Sequence, residues 1–217
     1  MEDELKQIWQ QYDRKLEKSL ALNIRLVKEV QLQKAHTELR QLSAIKLAFI
    51  VFGIAWLAFI GVLIRYSLTW DKIFFVVSAG IHWIVSAVAV AVYIHHMVLI
   101  RQANSSGNVV DTQRKLAALE TSSLQIGRLL LVQLPVFVSF QMNPGMFAAP
   151  QLTTGIIYTV ITAIFTWAGI WLYRNLDYKN ADKRWFKTLV SDSMEMAPLR
   201  KAATFLKQID AFEKELA

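Results

Sequence analysis

Residues Ile73 to Ile94 read IFFVVSAGIHWIVSAVAVAVYI, 22 residues whose only ionisable side chain before the closing Tyr-Ile pair is His82. At about 1.5 Å rise per residue this run is long enough to cross a hydrocarbon layer of about 30 Å as one helix. It lacks the strict alternation of a barrel strand. In lipid only helices and closed barrels satisfy every backbone polar group, so the stretch predicts a transmembrane helix and fixes the class of the chain.

Three further apolar stretches follow the same logic. Leu47 to Ile64, between Lys46 and Arg65, predicts a first span with Gly53 and Gly61 available for close helix contact. Residues 123–142 predict the third, either a full crossing or a re-entrant hairpin. Gln133 and Pro135 interrupt it, and Pro135 removes a backbone donor and should kink the helix. Leu152 to Tyr173 predicts the fourth. Its Gly155, Thr159, Thr162, Thr166, Gly169 and Tyr173 recur at steps of four, three, four, three and four, a stripe expected to pack on another helix.

Charge orients the spans. Of the 24 Lys and Arg residues, nine lie in residues 1–46, four in 94–128 and nine in 174–217, against two in 65–72 and none in 141–151. The positive-inside rule then places both termini and the middle loop in the cytoplasm, which needs four spans rather than three. The expected fold is all-α: a four-helix bundle integral to a membrane, with spans at about 47–64, 73–94, 123–142 and 152–173. A cytoplasmic loop or helix covers 95–122, and helical extensions cover 1–45 and 175–217. The net charge of +7 is assigned to this asymmetry and not to direct nucleic-acid binding. The acidic Met-Glu-Asp-Glu start is unlike a signal peptide, so the first span is expected to act as its own insertion signal.

The two extensions are amphipathic. Residues 1–43 contain no Gly or Pro. Trp9, Tyr12, Leu16, Leu20, Asn23, Val27 and Val30 recur at helical steps, with Asn23 the polar residue in the seam. One long helix is expected, or two with a break near Ser19 or Asn23. At the other end Phe205, Ile209 and Phe212 share a helix face. These faces could pair with each other or with the helix around Leu116 and Leu119. Alternatively they dock a cytoplasmic protein partner; a homo-oligomer of the whole chain is a separate expectation.

Catalytic chemistry finds no motif: there is no phosphate-binding glycine loop, nucleophile elbow or H-E-x-x-H, and no cysteine. The chain is therefore read as non-enzymatic and without a cofactor. Haem is excluded in the spans because His82 has no histidine on a facing span, and His95 and His96 lack carboxylates at ligand spacing. Ser78, His82 and Ser86 fall on one face. An ionisable residue inside a span is a candidate site, yet His82 is read first as a neutral bundle contact, to Gln133 or a Thr of the fourth span. A channel or small-solute transporter using this face and the Thr stripe is the rival reading.

Two segments carry a resemblance. They are Leu5-Lys6-Gln7-Ile8-Trp9-Gln10-Gln11 with Leu16-Glu17-Lys18-Ser19-Leu20-Ala21-Leu22-Asn23, and Phe205-Leu206-Lys207-Gln208-Ile209-Asp210-Ala211-Phe212-Glu213. With the four-span layout they resemble a group of uncharacterised bacterial multi-pass membrane proteins often encoded beside extracytoplasmic-function sigma factors. The resemblance implies a location in the bacterial inner membrane and a membrane-sensor or anti-sigma-like role with a sigma factor as partner. The chain departs from typical anti-sigma factors, which have one span and a larger soluble domain.

Overall fold

The computed structural model describes residues 2–105, 109–180, 182–191 and 193–215. Among these there is no β-strand. The principal helices are α1 (Glu2–Tyr66), α2 (Ile73–Ser105), α3 (Val109–Leu130), α4 (Gln133–Ser139) and α5 (Leu152–Asn175). A single helical turn, α6 (Arg184–Phe186), leads through a wide turn at Lys187–Ser191 to α7 (Met196–Glu215). Four stretches are long and apolar enough to cross a membrane: Lys6–Tyr66, Trp70–Ser105, Val110–Ser139 and Leu152–Asn175.

Helix α1 is continuous over 65 residues, with no break at Ser19 or Asn23. Nothing in its sequence supplies one, since Gly and Pro are absent before Gly53. Its middle packs on α7 and its apolar half on α2. At Gly53 a Cβ would meet the Val90 side chain at 2.6 Å, so a glycine is what lets α1 and α2 approach there.

The third apolar stretch is two helices. Pro135 has no N–H to give to the carbonyl of Leu131, and the chain tightens instead. Leu131, Val132 and Leu134 donate to Arg128, Leu129 and Leu131, three residues back, at 3.1–3.2 Å. Helix α5 approaches this break through Gly169, where a Cβ would lie 3.3 Å from the Leu131 carbonyl oxygen. Gly155, nearer the other end of α5, sits against the Met146 carbonyl, and a Cβ there would come within 2.5 Å.

Burial divides the molecule into two ends. At the charged end, Ala35, Leu39 and Leu42 of α1 close a compact core with Ile100 of α2, Leu116 and Leu119 of α3, and Leu199, Leu206 and Ile209 of α7. The segment 95–122 thus extends α2 and forms α3, and both belong to a folded bundle. Ion pairs Arg200–Glu120 (3.4 Å) and Lys201–Glu38 (3.7 Å) rim it. The apolar end is the reverse. Its helices bury little on one another, while Phe52, Ile54, Ile84, Ile157, Ile164 and Trp167 face outward.

This division predicts a contrast along a single helix. Leu39→Ala or Leu206→Ala, each side chain 1% exposed, should lower unfolding free energy by about 2–5 kcal/mol. Leu16→Ala, 69% exposed on the same α1, should change it by no more than about 0.5 kcal/mol. Denaturant unfolding in detergent, followed by helical circular dichroism, reads the difference.

Candidate functional site

Sequence singles out two groups of side chains, and the fold adds a third. The first is the polar face within the apolar stretch of α2. His82 is 4% exposed and its Nε2 accepts a hydrogen bond from the Trp56 indole N–H of α1 at 2.7 Å. Nδ1 therefore carries the ring proton, and it has no hydrogen-bond partner. The rings of Phe137 (5.2 Å), Phe140 and Trp56 (both 6.0 Å) enclose it. Of the expected partners, Gln133 of α4 is also a neighbour of the His82 ring, whereas the Thr residues of the fourth span are not, because α5 packs on α4. Gln133 donates to Ser86 Oγ at 3.3 Å, and Ser78 pairs with Ser139 at 2.8 Å. All three residues of this face are satisfied or enclosed between α2 and its neighbours α1 and α4. That is the arrangement of a lock between helices.

The Thr stripe of α5 is a correction. Thr159 and Thr166 are exposed, and Thr162 is half-buried. Their hydroxyls donate to the carbonyls of Gly155, Tyr158 and Thr162 on their own helix at 2.7–2.8 Å. A threonine in a helix can discharge its polar group onto the preceding turn, so it needs no facing helix. Only the glycines at the two ends of the stripe make the close contact expected of the whole.

The second group is the terminal faces. Trp9, Tyr12, Leu16 and Leu20 are 69, 67, 69 and 51% exposed, and no other element covers them. Ile209 is buried and Phe205 half-buried in the charged-end core; the side chain of Phe212 lies outside the described residues. Of the pairings open at sequence level, α7 joins the helix of Leu116 and Leu119 and a later stretch of α1, around Ala35, Leu39 and Leu42. The face at Trp9 to Leu20 takes no part.

The third group was missed by sequence reasoning. Where α1 passes from charged to apolar composition, Lys46 is completely buried. Its Nζ lies 2.8 Å from Glu195 Oε2, 3.4 Å from Ser123 Oγ and 4.5 Å from the centre of the Tyr93 ring. Burial lowers the Lys46 pKa, opposed by the charge and hydrogen bond of Glu195. His96, also fully buried, bonds Ser122 Oγ at 2.8 Å. Burial first, and then the charges of Lys46 and His95, push its pKa down to about 4. Beside the pair lies an open cavity of about 410 Å³ walled by Phe49, Leu124, Ile126, Leu176 and Val190, with Glu195 and Ser123 its polar margin. The available sequence signals were Lys46 at a span boundary and Met196-Ala197-Pro198 as a break. Neither reveals that α7 returns to α1.

Among the described residues no group of three His, Asp or Glu side chains is placed to hold a metal. Comparison of the chain with protein-family models, curated proteins and solved structures finds no match.

Two outcomes follow from the Lys46 cluster. Glu195→Gln leaves a buried ammonium without its counter-charge and should cost about 3–5 kcal/mol. Adding Lys46→Met should restore much of that, and denaturant unfolding of the single and double variants tests it. For His96, the unfolded side chain binds a proton below about 6.5 while the folded one does so only below about 4. Stability must therefore fall as pH drops through that window, by on the order of 3 kcal/mol, and level off below it. His96→Gln should flatten that part of the melting-temperature profile against pH.

Proposed function

We propose that this is a non-enzymatic, four-span inner-membrane protein with both termini in the cytoplasm, and that its N-terminal helix is a stalk for binding protein. The inverted surface of the apolar end supports the membrane reading. Outward Phe, Ile and Trp side chains on helices that bury little of one another suit a hydrocarbon solvent and would aggregate in water. The distribution of Lys and Arg supports the orientation. On this reading Lys46 and His96 lie just outside the spans at 47–64 and 73–94, and the charged-end core stands on the cytoplasmic face.

The observation that carries the binding role is residues 6–30 of α1. This stretch, about 37 Å of helix, has all but two side chains exposed and displays Trp9, Tyr12, Leu16 and Leu20 toward one side. An amphipathic helix uncovered by its own fold is the form taken by helix-in-groove and coiled-coil ligands. The sensor or anti-sigma-like role implied by the resemblance, with a sigma factor as partner, is one specific form of this proposal. The channel reading draws no support from the side chains it would use, since Ser78, His82, Ser86 and the Thr hydroxyls are engaged with their own bundle.

Pull-down of the full chain from detergent-solubilised native membranes should recover a cytoplasmic protein or the chain itself. The W9E/L16E double variant should lose it at unchanged helical circular dichroism, because neither side chain is covered in the fold. Equal recovery with the variant would refute the stalk as the binding element. Orientation is read separately on intact cells: Leu68→Cys should react with a membrane-impermeant maleimide and Gln10→Cys should not.

A further inference from the structure

The stalk's exposed face carries a heptad pattern. Trp9, Leu16, Asn23 and Val30 recur at intervals of seven, and Tyr12, Ser19 and Leu26 each follow by three. That is the a/d repeat of a coiled coil, with Leu20 and Val27 flanking the seam. All of these side chains are exposed. The face that α1 spends on its own fold is another one. Ala35, Leu39, Leu42 and Lys46 are buried, and at 100° per residue they project from the opposite side of the helix. Pairing along the seam would displace none of the charged-end core. Further along the outer side, Thr37, Arg40, Ala44, Leu47, Val51 and Ile54 are also exposed, so nothing in the fold blocks the approach of a second α1.

We propose that the chain forms a parallel homodimer through residues 9–33 of α1. This inference rests on the membrane reading above. Copies in one bilayer stand in the same direction with their stalks at the same height, so parallel orientation and zero stagger are supplied by the anchor. Zero stagger sets Asn23 against Asn23, where an amide pair at an a position fixes register and favours two strands, with Ser19 and Gln33 the polar d positions of the seam. The combination of Val30 at an a position with Leu26 at a d position points the same way. The flanks agree. A parallel pair brings each residue before an a position close to the residue five further along the partner. This matches Glu29 with Lys34, Leu22 with Val27, Lys15 with Leu20 and Ile8 with Asp13. One match is an attraction and none sets like charges together. Lys34 already lies 5.8 Å from the centre of the Phe205 ring, at the point where the stalk meets the core. Arg40 would face Arg40 in the same repeat, so close contact ends near Gln33.

The absence of native cysteine makes the test direct. Single variants Leu16→Cys and Leu26→Cys on the seam, and Arg14→Cys and Ala21→Cys on the far side, are oxidised with copper phenanthroline as the full chain in native membranes. Seam positions should give several-fold more disulfide dimer than far-side positions, and adding Trp9→Glu should reduce the seam dimer. Equal cross-linking at all four positions, or none at Leu16 and Leu26, overturns the homodimer. The stalk reading fails separately. If cross-links ignore the seam while W9E/L16E still loses a protein in the pull-down, the stalk binds a different chain. If cross-links follow the seam and nothing else is recovered, the stalk serves self-association.

Discussion

The ion pair of Lys46 with Glu195 holds together the two halves of a molecule whose surfaces suit different solvents. An ammonium cannot be left alone at a fully buried position, because its desolvation outweighs any gain from packing the surrounding apolar groups. The fold answers with a carboxylate from the turn that begins α7, a hydroxyl from α3 and the face of the Tyr93 ring from α2. Four segments far apart in the chain therefore converge on one charge. That convergence sets the height at which α7 docks on α1, and with it the register of the core from Leu39 to Ile209. A salt bridge of this kind adds little net stability against an apolar replacement. Its value is positional: one arrangement satisfies it and slipped arrangements do not.

Below this point the helices are held by a few close contacts. Gly53, Gly155 and Gly169 let backbones approach, while Trp56–His82, Ser78–Ser139 and Ser86–Gln133 tie α2 to α1 and α4. Where apolar burial cannot separate one packing from another, as in hydrocarbon, small-residue contacts and directed hydrogen bonds carry the specificity. Helix α5 takes the least of this. It touches its neighbours chiefly at its two buried glycines and leaves most of its apolar side chains outward.

Much of the architecture was visible in composition and period, because each signal was local. Apolar runs located the four stretches long and apolar enough to cross a membrane, Pro135 marked the break between α3 and α4, and the period of the stalk left one helix or two, of which the structure has one. What could not be read depends on pairs distant in sequence. His82 announces a need for a partner but not which helix supplies it, and Trp56 has no polar pattern to mark it. The Thr stripe has the spacing of a packing face, yet a threonine satisfies itself on its own helix as readily as on a neighbour. Only the flanking glycines discriminate, since a backbone without a Cβ gains nothing unless another atom comes close. Glu195 lay in a segment whose visible feature was a break, and its role requires the chain to return to α1 across 149 positions.

The continuity of α1 gives the two regions a mechanical relation. One helix carries the stalk, the core contacts at Ala35 to Leu42, the buried charge at Lys46 and the first apolar span, with no glycine or proline until Gly53. A helix without breaks transmits rotation and tilt along its length, whereas a hinge would absorb them. Movement of the apolar half of α1 relative to α2 must therefore either carry the stalk with it or strain the Lys46 cluster, where a displaced ammonium leaves the carboxylate that pairs with it among the described residues. The cluster consequently favours a rigid joint. On the four-span reading, any change felt at the first span would reach the stalk as a change in the direction and facing of its seam, which is the property that decides whether two such stalks meet.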